Sequence, residues 1–141
     1  MNNCPLCQAK NESVLWSDAR CRVIQVSDAD YPGFCRVIWT KHVREMTDLT
    51  KSQRAYLLNV VYAVEQTLRQ LLQPTKINLA SFGNQIPHLH WHVIPRFDDD
   101  AHFPDPTWAA RKRPGNPRAV DREKLTQALF TRLGGRRKKR E

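Results

Sequence analysis

His88-Leu89-His90-Trp91-His92-Val93-Ile94-Pro95 is the stretch on which the fold turns. In an extended strand, alternate side chains share a face. Leu89, Trp91 and Val93 then form an ordinary core face. His88, His90 and His92 form the other, three imidazoles spaced roughly 6.5–7 Å apart at a rise of about 3.3 Å per residue. Imidazole is a poor core filler, and each buried ring needs hydrogen-bond partners. Its value is chemical: with an unperturbed pKa of about 6.5 it can attack, accept a proton or donate one near neutral pH. The middle ring, His90, is flanked on both sides and is best placed as a nucleophile, with His88 and His92 orienting it and stabilising charge. Alternating histidines on a strand also suit zinc. On these residues alone, nucleophile and metal ligand both stay open.

Upstream, the period changes. Leu57, Val61, Val64, Leu68 and Leu71 recur at spacings of four and three, one face of an α-helix. Thr50 and Gln53 have the form of a capping box, and Pro74 stands where the helix must stop. A helix of about 22 residues is expected, covering one face of a sheet. Before it, Val14 to Trp16, Cys21 to Val26 and Phe34 to Thr40 read as strands, with a Pro32-Gly33 turn ahead of the third. After it, Lys76 to Phe82 reads as a strand, Gly83-Asn84-Gln85 as a turn, and His88 to Pro95 as the last strand. The fold class expected is α+β: an antiparallel sheet with one long covering helix.

Prolines 104, 106, 114 and 117 make the following stretch an irregular arm. Asp121 to Leu133 is expected to form a short helix, and Gly134-Gly135 leads into a basic tail. The division expected is one domain over residues 1–108, then arm, short helix and tail over 109–141.

The formal net charge is +9, and Arg136, Arg137, Lys138, Lys139 and Arg140 carry much of it. Such a surface suits an anionic ligand without choosing between nucleotide, nucleic acid and headgroup. No stretch approaches the roughly 18 apolar residues of a membrane helix, so no membrane partner is expected. The N-terminal stretch lacks a basic segment followed by an apolar run, and a cytoplasmic location is the expectation. Four cysteines there would be thiols or metal ligands.

The His-x-His-x-His-x-x pattern of His88 to Ile94, with every x apolar, resembles the signature of the histidine triad (HIT) family. Pro95-Arg96 resembles it too, as does the order of parts: Pro32-Gly33 before a strand, Lys41-His42, a long helix, two strands, then the triad. The likeness runs over residues 1–108 and points to the branch that hydrolyses dinucleoside polyphosphates such as diadenosine tetraphosphate. It implies a nucleotide hydrolase or nucleotidyl transferase, with a nucleotide as substrate. His90 would attack the α-phosphate and form a nucleotidyl-imidazole; His92 would help the leaving group, and His88 would support and orient. Uridylyltransferase relatives carry glutamine at the third position, and His92 argues against them. The resemblance implies that catalysis requires no cofactor, and that the protein is a homodimer.

It also implies substrate contacts from Asn84 and Gln85, although the loop from Gly83 to Pro87 is shorter than in many relatives. The rival reading is a plain turn at Gly83-Asn84. Phe34 departs as well, since many relatives have histidine after the Pro-Gly pair. Cys4 and Cys7 have ligand spacing but no second pair. Some bacterial triad proteins with such a pair bind a structural zinc, which here implies Cys4, Cys7, His42 and His88; the rival is two free thiols. Cys21 and Cys35 fall at core positions. Arg44 and Arg96 are further candidates for phosphate, with surface arginine as the rival, and Trp108 for stacking on a base, with an arm packed against the sheet as the rival. The alternative function is a nucleotide- or nucleic-acid-binding module with little turnover, using the basic tail.

Overall fold

A computed structural model describes residues 3–135; the basic tail from Arg136 lies outside the described residues. The elements are a short helix α1 (Pro5–Gln8), strands β1 (Ser13–Ser17), β2 (Cys21–Gln25) and β3 (Cys35–Trp39), the long helix α2 (Lys51–Leu72), strands β4 (Lys76–Ala80) and β5 (His90–Arg96), and helix α3 (Arg122–Leu133). The sheet order is β1-β2-β3-β5-β4, and every neighbouring pair is antiparallel. This is the α+β architecture expected. The triad strand is therefore interior, between β3 and β4.

Helix α2 starts where the capping box was expected. Thr50 Oγ1 accepts from the Gln53 backbone N–H at 3.2 Å, and Gln53 Oε1 accepts from the Thr50 N–H at 2.9 Å. It ends at Gln73, a left-handed residue just ahead of Pro74. Its apolar face, with Leu57, Val61, Val64 and Leu68, packs on Val23, Val37, Leu89 and Val93 of the sheet. Leu125 and Leu129 of α3 join that same core, so the short helix is tied to the body that carries the triad.

The other face of the sheet is covered only in part. Leu6 of α1 packs with Cys4, Ile24, Ile38 and Ile86 at one end. Tyr31, Phe34 and Ile94 pack at the other. An opening is left between them over β3 and β5. Gly33 makes the turn into β3 at φ +84°, where a Cβ would meet Leu72 Cδ1 at 2.5 Å. Only glycine fits that turn under the end of α2.

The arm is pinned by arginines. Arg113 donates to the carbonyls of Asp100 and Phe103, and Arg118 pairs with Asp99. Arg96, a candidate for phosphate, is instead buried with Asp100, Asn78 and the Asp105 carbonyl. Its donors are committed to the fold, which corrects both the phosphate reading and the surface reading of Arg96.

Candidate active site and metal centre

Strand β5 begins at His90, two residues later than expected. The reason lies in the hydrogen bonds of the approach: the Leu89 N–H donates to Val43 O, and the Trp39 N–H donates to Leu89 O. His88 therefore enters the sheet at its rim and is fully buried there. The even ladder of three rings is not formed. The His90 and His92 rings meet edge to face, with centroids 4.9 Å apart, whereas the His88 ring turns towards the N-terminus.

Two carbonyl oxygens set the tautomers, because a carbonyl only accepts. His88 Nε2 lies 2.6 Å from Trp39 O, so Nε2 carries the proton and Nδ1 is bare. His90 Nδ1 lies 2.6 Å from His88 O, so Nδ1 carries the proton and Nε2 keeps its lone pair. Burial lowers the pKa of His90, and Arg36 adds to the effect. His92 falls to about 4, through burial first and then the charges of His90 and Arg36. Both rings are held neutral near pH 7, the form in which an imidazole nitrogen is nucleophilic.

The bare His88 Nδ1 faces Cys4 Sγ at 3.4 Å, Cys7 Sγ at 3.4 Å and His42 Nδ1 at 3.2 Å. Cys7 Sγ lies 3.3 Å from His42 Nδ1, and all four atoms fall within 4.8 Å of one another. A tetrahedral zinc with bonds of about 2.3 Å to sulfur and about 2.0 Å to nitrogen has ligand edges of roughly 3.3–3.8 Å. Four of the six edges, at 3.2–3.4 Å, lie close to the short end of that range, and all six are within 4.8 Å. Two thiols and two imidazoles form the donor set of a closed structural zinc site, and the Trp39 carbonyl supplies the outer hydrogen bond that orients a ligating histidine. The expected set of Cys4, Cys7, His42 and His88 is thus brought together. Cys21 and Cys35 are buried in the core, and burial pushes each thiol up to about 12.

Above His90 and His92 lies a cavity of about 440 Å³, walled by Asn84, Gln85, Ile86, Arg36, Phe82 and Trp108 among others. Asn84 and Gln85 are exposed residues of its rim. Two neighbours were missed by sequence reasoning, Phe82 and Arg36, and two that it named, Phe34 and Trp108, join them. Phe34 stacks on His92 at 5.5 Å, on the side where many triad proteins were expected to carry histidine. Phe82 and Trp108 meet edge to face at 5.2 Å and form a largely exposed aromatic wall. Arg36 stands on β3 directly opposite His92. A lone arginine inside an apolar strand was the available signal for it.

The HIT domain profile matches residues 8–99, which contain the sheet, α2 and both rings of the open site. The chain belongs to the HIT domain family. Among curated HIT relatives, an AP-4-A phosphorylase of Mycobacterium tuberculosis is 30% identical over 78 residues, covering 51% of this chain and 40% of that protein. A bis(5'-nucleosyl)-tetraphosphatase (asymmetrical) of Schizosaccharomyces pombe is 31% identical over 70 residues, covering 46% of this chain and 38% of its own length. The chain thus matches well under half the length of these relatives. A solved histidine triad protein of Bradyrhizobium japonicum superposes with a TM-score of 0.71 at 26% identity, over 89% of this chain and 93% of that one. A zinc-bound histidine triad protein of Mycobacterium smegmatis shares the fold with a TM-score of 0.65 at 21% identity, over 94% of each chain.

Proposed function

We propose that this HIT protein is a nucleotidyl hydrolase acting at the α-phosphate of a dinucleoside polyphosphate. The observation that carries the proposal is the tautomer of His90: Nδ1 is tied to the His88 carbonyl at 2.6 Å, so the lone pair of Nε2 is free at the floor of the cavity. An imidazole held neutral and oriented in this way is prepared for in-line attack on phosphorus.

In the first step a bond forms between His90 Nε2 and the α-phosphorus, and the bond to the bridging oxygen breaks. The electron pair leaves on that oxygen with the departing polyphosphate. His92, neutral, supplies an N–H to the bridging oxygen, and Asn84 and Gln85, exposed at the cavity rim, would donate amide hydrogens to the phosphate oxygens. In the second step water attacks phosphorus from the open side and gives up a proton to solvent, the P–Nε2 bond breaks with its electron pair returning to Nε2, and a nucleoside monophosphate is released. With the ring as nucleophile, the chemistry calls for no metal-bound water. Zinc held by Cys4, Cys7, His42 and His88 would serve structure, anchoring the N-terminus over the sheet. The active form proposed is a cytoplasmic homodimer.

A phosphorylase and a hydrolase differ only in what attacks the nucleotidyl-histidine in the second step. Diadenosine tetraphosphate is therefore supplied to the protein with and without inorganic phosphate, and the products are separated by chromatography. AMP with ATP in both conditions supports hydrolysis, whereas ADP with ATP in phosphate alone makes the protein a phosphorylase. Nucleotide binding with no product in either condition would leave a binding module in place of an enzyme.

A further inference from the structure

Arg36 has no structural explanation. It lies in the middle of β3, flanked by the buried Cys35, Val37 and Ile38. Its Nε is buried without a hydrogen-bond partner, and its guanidinium forms no hydrogen bond or ion pair among the described residues. The acid whose charge reaches it is Asp28, an exposed residue that does not pair with it. The guanidinium lies 5.5 Å from the centre of the Phe34 ring, which supports it from one side. Leaving a cation partly desolvated and unpaired is costly, and burial alone pulls its pKa below the usual arginine value. Two other largely buried arginines show the contrast: Arg22 is paired with Glu12 and Arg96 with Asp100.

Register decides where this cation points. Arg36 and His92 are direct partners across the β3–β5 ladder, and Ile38 is the partner of His90. Partners in register share a face of the sheet. The apolar Ile38 thus stands beside the nucleophile, and the cation stands beside the next histidine along the strand. Arg36 lines the same cavity as His90 and His92. A phosphate chain attacked at His90 and departing past His92 runs directly onto it.

We infer that Arg36 is the anion-binding residue for the departing polyphosphate, and that it selects phosphoanhydride substrates over nucleoside phosphoramidates. The inference rests on the nucleotidyl-transfer reading of the site. A phosphoramidate expels an amine, which gains nothing from a cation. A phosphoanhydride expels a polyanion, whose bridging oxygen takes the electron pair while its non-bridging oxygens fit the planar fork of the guanidinium. No proton is taken from Arg36, and the charge it stabilises is greatest once the bond has broken.

The test uses the full chain and three variants, Arg36→Met, Arg36→Lys and His90→Ala. Binding of inorganic tripolyphosphate and of adenosine is measured by calorimetry. Turnover is measured on diadenosine tetraphosphate and on adenosine 5'-phosphoramidate. Arg36→Met is expected to weaken tripolyphosphate relative to adenosine by about tenfold to a hundredfold, the range of a charged hydrogen bond, with Arg36→Lys recovering part of it. The ratio of kcat/KM for the tetraphosphate to that for the phosphoramidate should fall by a similar factor. An unchanged affinity for tripolyphosphate, or a kcat/KM ratio within threefold of wild type, overturns the assignment. If the wild type turns over neither compound, the hydrolase reading fails; Arg36-dependent tripolyphosphate binding still decides the anion site. His90→Ala separates the two, since it removes turnover while tripolyphosphate binding remains.

Discussion

The Nδ1 of His90 is held by the backbone carbonyl of His88 at 2.6 Å, while the ring of His88 turns away to face Cys4 and Cys7. One residue therefore serves two sites: its carbonyl sets the tautomer of the nucleophile and its imidazole belongs to the metal cluster. The two roles fall on different atoms of His88, so they can be separated experimentally.

Removing the thiols tests that separation. Cys4→Ser with Cys7→Ser is expected to abolish zinc binding, read by elemental analysis, and to lower Tm by about 10 °C, since structural zinc contributes folding free energy directly. Most of the turnover should survive at low temperature. Activity that returned with zinc at constant Tm would place the metal in the reaction.

His90→Ala is expected to lose turnover by several orders of magnitude, towards the roughly 10⁶-fold seen when a covalent nucleophile is removed. Circular dichroism and nucleotide binding should stay close to wild type, because among the described residues the His90 side chain hydrogen-bonds only the His88 carbonyl. Retention of a tenth of the wild-type rate would remove His90 from the mechanism.

His92 titrates far below an ordinary histidine, at about 4, through burial and the neighbouring His90 and Arg36. The folded state prefers its neutral form. The stability this confers is present above about pH 6.5 and is lost as pH falls towards 4. Ring-proton NMR should show a midpoint near 4, and Arg36→Met should raise it. A wild-type midpoint at the ordinary value would contradict the burial of this ring.

Asp100 behaves in the opposite sense to its burial. Desolvation pushes its carboxyl up, yet Arg96 and the backbone N–H groups of His102, Phe103 and Phe97 bring it down to about 2. Its contribution is present above about pH 4 and is lost as pH falls through 2. Asp100→Asn leaves Arg96 buried and half-paired, and should destabilise the fold by on the order of 3 kcal/mol at pH 7 in urea titration. The loss should shrink in acid, where the wild type is protonated as well.

Strand β4 ends the sheet and carries the exposed Leu79. An edge strand with an exposed apolar side chain can pair with a symmetric partner. Light scattering at micromolar concentration should return the mass of two chains, and a monomer mass would rule the homodimer out.

Residue order alone was enough for the sheet, the long helix and the polar face of the triad strand, because all three rest on local periodicity. Period two separates His90 and His92 from Trp91 and Val93, and the 3.6-residue period with Thr50, Gln53 and Pro74 bounds α2 without reference to any distant residue. The tilt of His88 was not local. It depends on Val43 and Trp39 capturing Leu89, which no pattern within the triad encodes. The cluster of Cys4, Cys7, His42 and His88 was legible only through family likeness, since its members lie up to 84 residues apart and meet only when α1 docks on the sheet. Arg36 needed the most: its pairing with His92 is a matter of β3–β5 register, and that its buried Nε finds no hydrogen-bond partner among the described residues follows from the packing around it. Local rules set which way a side chain faces along its own strand; which side chain it meets across the sheet is decided by the fold.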